Sequence, residues 1–422
     1  MLDRKFIREH PEEVREAARK KRIDLDLDRI LELDAEDLRE QAALQELQQK
    51  SNRVSKEAGK AKDPAERGQL IEEGRALREE VKAREELLRV REDELRARLL
   101  RVPNIPDPSV PEGRDESDNV EVKRWGTPPR FDVTPLDHVA LMERLGILDT
   151  ERGAKVAGSR SYILKGAGAL LEMALTRFAI DRLAAKGFTP LIVPALAREF
   201  ALVGTGQFPA HRDQTYELTA DDLFLAGTAE VAMTGMHADE ILPYDGLPIR
   251  YVALSPCFRS EAGSYGRDVK GVIRVHQFTK VEQFIIAPND TAASLEMLDA
   301  LLANAEELVR ALDIPYRVVL TCTGDMGEGK VKMYDIESWV PSENTYRETH
   351  SDSFLGEWQA RRVNLRYRDA DGKVRFAHTL NNTALASPRI MVPLLENHQQ
   401  PDGSVRVPTA LQPYLGMDTI RP

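Results

Sequence analysis

Phe258-Arg-Ser-Glu261, the polar stretch Ala262–Gly271 with its three glycines, and Val272-Ile-Arg-Val-His-Gln-Phe278 leading on to Glu282 decide how this chain folds. Strand side chains alternate faces, so an arginine and a glutamate one residue apart in an extended segment point to the same side. Arg259 would therefore set a permanent cation beside the Glu261 carboxylate. A guanidinium fork matches phosphate or carboxylate oxygens two at a time, which suits a site holding a nucleotide phosphate against an acyl group. The segment 272–286 alternates apolar and polar residues and is rich in β-branched and aromatic types, which predicts the return strand. Strand, basic glycine-containing loop and returning strand with an acid make a nucleotide clamp.

Outward from this pair, the chain carries Lys186-Gly-Phe-Thr-Pro-Leu-Ile-Val-Pro194, Gly227-Thr-Ala-Glu230, Arg347-Glu-Thr-His-Ser351 and Thr379-Leu-Asn-Asn-Thr-Ala-Leu-Ala-Ser-Pro-Arg389. Together with the 258–282 stretch, these five ordered segments resemble motifs 1, 2 and 3 and two further signatures of the seryl-tRNA synthetases, which are class II aminoacyl-tRNA synthetases. The resemblance spans nearly the whole chain. It implies that L-serine and ATP react to a seryl adenylate, and that serine then passes to the 3′ end of tRNA(Ser), with tRNA(Sec) as a further acceptor. It also implies a homodimer formed through motif 1.

The same resemblance assigns roles. Arg259 and Arg389 are the implied catalytic residues, Arg259 meeting the ATP α-phosphate and the serine carboxylate as charge develops. Glu261 would meet the adenine edge and Phe278 stack on its face, although a strand aromatic is also ordinary core material. Arg274 and Arg389 would hold the outer phosphates, and Ser260, Val275, Glu348, Thr349, His350 and Ser351 complete the implied ATP site. Thr228, Ala229, Glu230, Glu282, Asn381 and Thr383 form the implied serine site. Carboxylates and hydroxyls there can receive an ammonium and a hydroxyl, while threonine must be refused by size. Glu348 and Ser351 resemble the family's Mg2+ ligands, a carboxylate and a hydroxyl whose octahedron phosphate oxygens would complete. Asp352 stands where the family commonly has a small residue; it would either tune the metal or face solvent, and solvent exposure is the expectation. Gly324-Asp-Met-Gly-Glu-Gly-Lys330 has P-loop spacing, but Val331 replaces the Ser or Thr that would hold Mg2+, and no clear helix follows.

Composition agrees without pointing anywhere by itself. The 422 residues suit two or three domains, and a net charge of −11 confines any RNA contact to local patches. Cys257 and Cys322 are the only cysteines and form no C-x-x-C pair, so a reducing, cytoplasmic setting and no zinc are expected. The N-terminus lacks an apolar signal core and no long uncharged apolar run occurs, so no membrane is expected as a partner.

Residues 28–100 are dominated by strong helix formers. One stripe runs through Leu44, Leu47, Ser51, Val54, Ala58 and Ala61; another through Leu70, Gly74, Leu77, Val81, Leu88, Leu95 and Leu99 is interrupted by Arg84 and Arg91. Asp63-Pro64 between them predicts a reversal, hence an antiparallel helical hairpin, with arms of ~35 residues projecting on the order of 50 Å. Residues 1–100 hold 24 basic and 26 acidic side chains, yet the tip gathers Lys50, Arg53, Lys56, Lys60, Lys62 and Arg67 against Glu57, Asp63 and Glu66. The pattern alone also fits a dimerising or scaffolding coiled coil. A basic tip suits phosphate contacts, and the resemblance implies that Lys50, Arg53, Lys56 and Lys60 grip the long variable arm of the tRNA.

Four prolines in Val102–Pro111 mark a linker. The expected architecture is α+β: residues 1–110 as a helical tRNA-binding arm with linker, and 111–422 as a class II catalytic domain with a mainly antiparallel sheet flanked by helices. Two other readings stay open on residues alone: a relative activating an amino acid for a carrier protein, and a catalytically silent RNA-binding or scaffolding protein.

Overall fold

The computed structural model describes residues 1–262 and 271–422; residues 263–270, most of the predicted basic loop, lie outside the described residues. The chain divides into two compact units, 2–19 with 23–103, and Met1 with 20–22 and 104–422.

The first unit is built on a hairpin of α1 (Leu27–Lys60) and α2 (Pro64–Leu99). Asp63 accepts from the amides of Ala65 and Glu66, and Pro64 occupies the first turn, where its missing N–H costs nothing. Ser51, Val54 and Ala58 of α1 and Gly74, Leu77, Leu95 and Leu99 of α2 are buried, while Leu44 and Leu47 are half-buried. Each fully buried leucine contributes about 2 kcal/mol. The two arginines that interrupt the α2 stripe have a reason to be there: Arg84 and Arg91 reach Glu40 of α1 at 3.2 and 3.6 Å. Near the base, the buried carboxylates of Asp34 and Asp37 are met by Arg4 and Arg8 at 2.6 Å, as buried charges require.

The second unit is organised by an eight-stranded sheet of β1 (Val120–Trp125), β2 (Thr189–Ile192), β3 (Ile249–Phe258), β4 (Gln277–Ala287), β5 (Tyr316–Leu320), β6 (Lys332–Val340), β7 (Thr345–Gly356) and β8 (His378–Ser387), in the order β1-β5-β6-β7-β8-β4-β3-β2. Every pairing is antiparallel except β2 with β3. Helices α3 (Ala167–Ala184) and α4 (Thr291–Ala311) bury Leu171, Leu175, Phe178, Leu298, Leu301 and Leu308 in the main core against strand residues such as Val281, Ile285 and Leu380.

The strand expectation for the clamp needs correction. Strand β3 stops at Phe258 and β4 begins only at Gln277, so Arg259 and Glu261 do not share a strand face. Glu261 takes φ +52, a left-handed conformation rare for a residue with a side chain. Two hydrogen bonds replace the ladder there, Arg259 N–H to the His276 carbonyl and Ser260 N–H to the Gln214 carbonyl, both 2.9 Å.

Candidate active site

Three adjacent central strands supply a floor by alternation. Phe278, Lys280 and Glu282 of β4, Asn381 and Thr383 of β8, and Ser351, Ser353 and Leu355 of β7 line one cavity of about 400 Å³. The β4–β8 register shifts between Val281, paired with Leu385, and Glu282, paired with Thr383. One extra residue on β8 is thereby taken up as a bulge, a device that re-aims side chains beside a site.

Arg259, Arg274 and Arg389 all line the cavity. The Arg259 guanidinium lies 5.3 Å from the centre of the Phe278 ring. Arg274 is 2.7 Å from the Glu261 carboxylate, and Arg389 is 3.4 Å from that of Glu348. Two of the three cations thus rest on carboxylates that also line the cavity, pairs that a polyanion could enter and rearrange.

The same cavity is also lined by two carboxylates, Glu230 and Glu282. Glu230 accepts from Gln359 Nε2 and Asn381 Nδ2, both at 2.6 Å. Burial, then the nearby Glu282 carboxylate, push its pKa upward. Glu282, 2 % exposed, pairs with Lys280 at 2.5 Å. Thr228 is buried and its hydroxyl accepts from the Glu230 amide at 3.3 Å.

Of the residues singled out in sequence, Thr228, Glu230, Glu282, Asn381, Thr383, Arg259, Glu261, Arg274, Val275, Phe278, Glu348, Thr349, Ser351 and Arg389 line the cavity. Three do not line it. Ala229 is buried beneath it, Ser260 donates its hydroxyl to the Asp213 carbonyl at 2.9 Å, and His350 is buried beside Thr349, its pKa pushed down to about 4 chiefly by that burial. Asp352 does not face solvent as expected: it is 1 % exposed, opposite Asn382 on β8, and burial raises its carboxyl well above the usual range. It alternates with Ser351 and Ser353 and therefore takes the other face of β7, toward α4.

Sequence reading missed several cavity residues. Lys280 shares a strand face with Phe278 and Glu282, so strict alternation would have found it. Trp358, which also lines the cavity, carries no local signal, and residues 327–330, which line it too, were set aside as part of a failed P-loop. Gly329 and Gly206 are glycines because a Cβ on either would stand 2.7 or 2.3 Å from the Trp358 ring. The stretch 324–330 leads into strand β6 rather than a helix, as the residues that follow it led one to expect.

Glu348 and Ser351 bring an anionic and a neutral oxygen to the cavity wall, a donor set fitting Mg2+ shared with phosphate. Among the described residues no group of three or more His, Cys, Asp or Glu could hold a metal ion, and no helix is long and apolar enough to cross a membrane. On the hairpin, Arg53, Lys56 and Lys60 are exposed and Lys50 lies 3.3 Å from Glu73.

Comparison with known proteins gives these features a family. Residues 1–106 match the seryl-tRNA synthetase N-terminal domain, and residues 215–398 match the tRNA synthetase class II core domain (G, H, P, S and T). The chain is 56% identical over 416 residues to the serine–tRNA ligase of Deinococcus radiodurans, covering 99% of this chain and 98% of that one. Its structure is similar to the seryl-tRNA synthetase of Pyrococcus horikoshii complexed with ATP, with TM-score 0.92, 42% identity and both chains covered completely. A cytoplasmic serine–tRNA ligase of Naegleria fowleri in complex with AMP superposes with TM-score 0.86 at 33% identity, covering 100% of this chain and 99% of that one. With both of its domains matched and relatives aligned over its full length, the chain belongs to the seryl-tRNA synthetases, class II ligases that join serine to tRNA.

Proposed function

We propose that the cavity holds ATP at its arginine end and L-serine at its Glu230–Glu282 end, and that serine is activated where the two meet. The observation that carries this reading is the make-up of a single cavity, which Arg259, Arg274 and Arg389 line together with Glu230, Glu282 and Thr383. A serine carboxylate oxygen attacks the α-phosphorus, the bond to the bridging oxygen breaks, and pyrophosphate leaves with the electron pair. No proton moves in this step. Arg259 bridges attacking carboxylate and α-phosphate, so its stabilisation grows with the charge on phosphorus. Phe278, already stacked under Arg259, takes the adenine face, and Glu261 takes its edge. Arg274 and Arg389 exchange their carboxylates for the outer phosphates. Mg2+ bound by Glu348 and Ser351 would neutralise phosphate charge.

At the amino-acid end, Glu230 receives the ammonium, while Glu282 and Thr383 receive the hydroxyl. A substrate without that hydroxyl leaves buried polar groups unpaired. The terminal adenosine of tRNA then takes the seryl group from the adenylate and AMP departs.

Beyond this chemistry, we assign residues 1–110 to tRNA(Ser) binding, with Lys50, Arg53, Lys56 and Lys60 on the phosphates of its long variable arm, and 111–422 to catalysis. A homodimer through the motif 1 edge is favoured by the apolar side chains exposed there, Ile192 at 92 % and Met173 at 65 %. The setting is the cytoplasm, and tRNA(Sec) is a second acceptor. Serine-stimulated exchange of pyrophosphate into ATP tests the activation step, and charging of tRNA(Ser) and tRNA(Sec) transcripts tests the transfer. Exchange stimulated equally by alanine would overturn the assignment of the acidic end.

A further inference from the structure

Residues 327–330, set aside in sequence as a failed phosphate loop, form part of the cavity wall. They belong to neither a helix nor a strand, so their carbonyls need partners of their own. All four find them on two residues far away in sequence. Lys21 Nζ donates to the carbonyls of Gly327, Glu328 and Lys330 at 3.1, 2.9 and 2.6 Å. The Asn104 backbone N–H donates to the Glu328 carbonyl at 2.9 Å, and its Nδ2 donates to Gly329 and Leu355 carbonyls at 3.0 and 2.7 Å. Leu355 also lines the cavity.

Both donors are buried, Lys21 at 5 % and Asn104 at 7 % exposure. Burial and the Lys330 charge push the Lys21 pKa well down, yet its three carbonyls match the three protons of an ammonium. A buried lysine spent wholly on backbone is costly unless that backbone must be held in one place. The wall so held stands at the amino-acid end: Gly329 packs on Trp358, and the next residue, Gln359, donates to Glu230.

We propose that Lys21 and Asn104 are positioning residues for amino-acid recognition, fixing the 327–330 backbone as the wall against which serine is held. This rests on the reading that the Glu230 end takes serine. Without the two donors, four carbonyls are released to seek other partners, the substrate's ammonium and hydroxyl among them.

The test uses the full-length chain with Lys21→Met, Lys21→Arg, Asn104→Ala and the Lys21→Met/Asn104→Ala double variant, each checked for folding by circular dichroism. Lys21→Met should raise the serine KM in pyrophosphate exchange by at least ~10-fold, the scale of a slightly misplaced contact, while the ATP KM stays within ~2-fold. Asn104→Ala should move serine KM the same way, and the double variant should fall short of the product of the singles, because both act on one loop. Lys21→Arg, which keeps charge and donors, should recover part of the serine affinity. Should Lys21→Met fail to fold, Lys21→Arg and Asn104→Ala carry the test by the same serine-against-ATP criterion. Serine and ATP KM rising together, or neither moving in folded protein, would overturn the proposal. Wild-type protein showing no serine-stimulated exchange would instead overturn the reading beneath it.

Discussion

Glu282 on β4 is paired directly with Thr383 on β8, at the point where the register of these two strands shifts. The bulge sets a carboxylate and a hydroxyl side by side on the cavity floor, 2 % and 9 % exposed. Thr383→Ala or Glu282→Gln should therefore raise the serine requirement far more than the ATP requirement, since a lost buried hydrogen bond costs ~1 to 3 kcal/mol. Steady-state exchange kinetics with each substrate varied decides it. A change confined to ATP would move these residues to the nucleotide end.

Arg259 is held by backbone bonds rather than by its own charge, so its loss should leave the fold intact. Arg259→Ala should lower serine-dependent exchange by at least ~100-fold, the scale of removing one preorganised donor from developing charge. Near-wild-type exchange by a folded variant would remove it from the chemistry.

Glu230 yields a pH prediction. Burial and Glu282 raise its pKa, while Gln359, Lys280 and Lys330 oppose the rise, and Asn381 also donates to it. A carboxyl whose folded pKa is raised gives its stability below the ordinary value and loses it as pH rises through the folded one. The ionised form is then a burden on the fold, one that the proposed contact with the serine ammonium would offset. Glu230→Gln should melt no lower than wild type at pH 7.5, with this relative advantage shrinking at pH 5, and should lose most serine-dependent exchange. Thermal melts at both pH values, with kinetics on the same samples, check this. A variant markedly less stable at pH 7.5 would show that its hydrogen bonds, not its charge, dominate.

The hairpin makes a separable prediction. Replacing 34–99 by a short glycine-serine linker removes the exposed Arg53, Lys56 and Lys60 but leaves every cavity residue. Adenylate formation should persist while tRNA charging falls by orders of magnitude. In the intact chain, Lys56→Ala and Lys60→Ala should weaken tRNA binding and flatten its salt dependence. Equal charging with and without the hairpin would favour a scaffolding coiled coil.

Periodicity disclosed much of this molecule. The hairpin, its Asp63-Pro64 reversal and the mainly antiparallel sheet flanked by helices all follow from local pattern. The clamp was misread because alternation was extended past Phe258, where the backbone turns and Glu261 takes a left-handed conformation. Asp352 was misplaced because a charged residue in a strand is ordinarily on a wet face, whereas β7 is central and its face away from the cavity is covered by α4. Bulges leave no period-two trace in advance. The wall at 327–330 was invisible for another reason: its geometry is dictated by Lys21 and Asn104, more than two hundred positions away.

Those two residues also bear on where the molecule can be cut and joined. Lys21 and Asn104 fall inside the stretch matched as an N-terminal domain, residues 1–106, yet group with the unit that contains the cavity. A chimera that takes residues 1–106 from a relative would import both donors along with the hairpin, and a fragment starting at 107 would lack them. A module boundary drawn by sequence ancestry thus runs through a single physical device, and clean exchange of the hairpin calls for junctions inside it, after residue 22 and before 104.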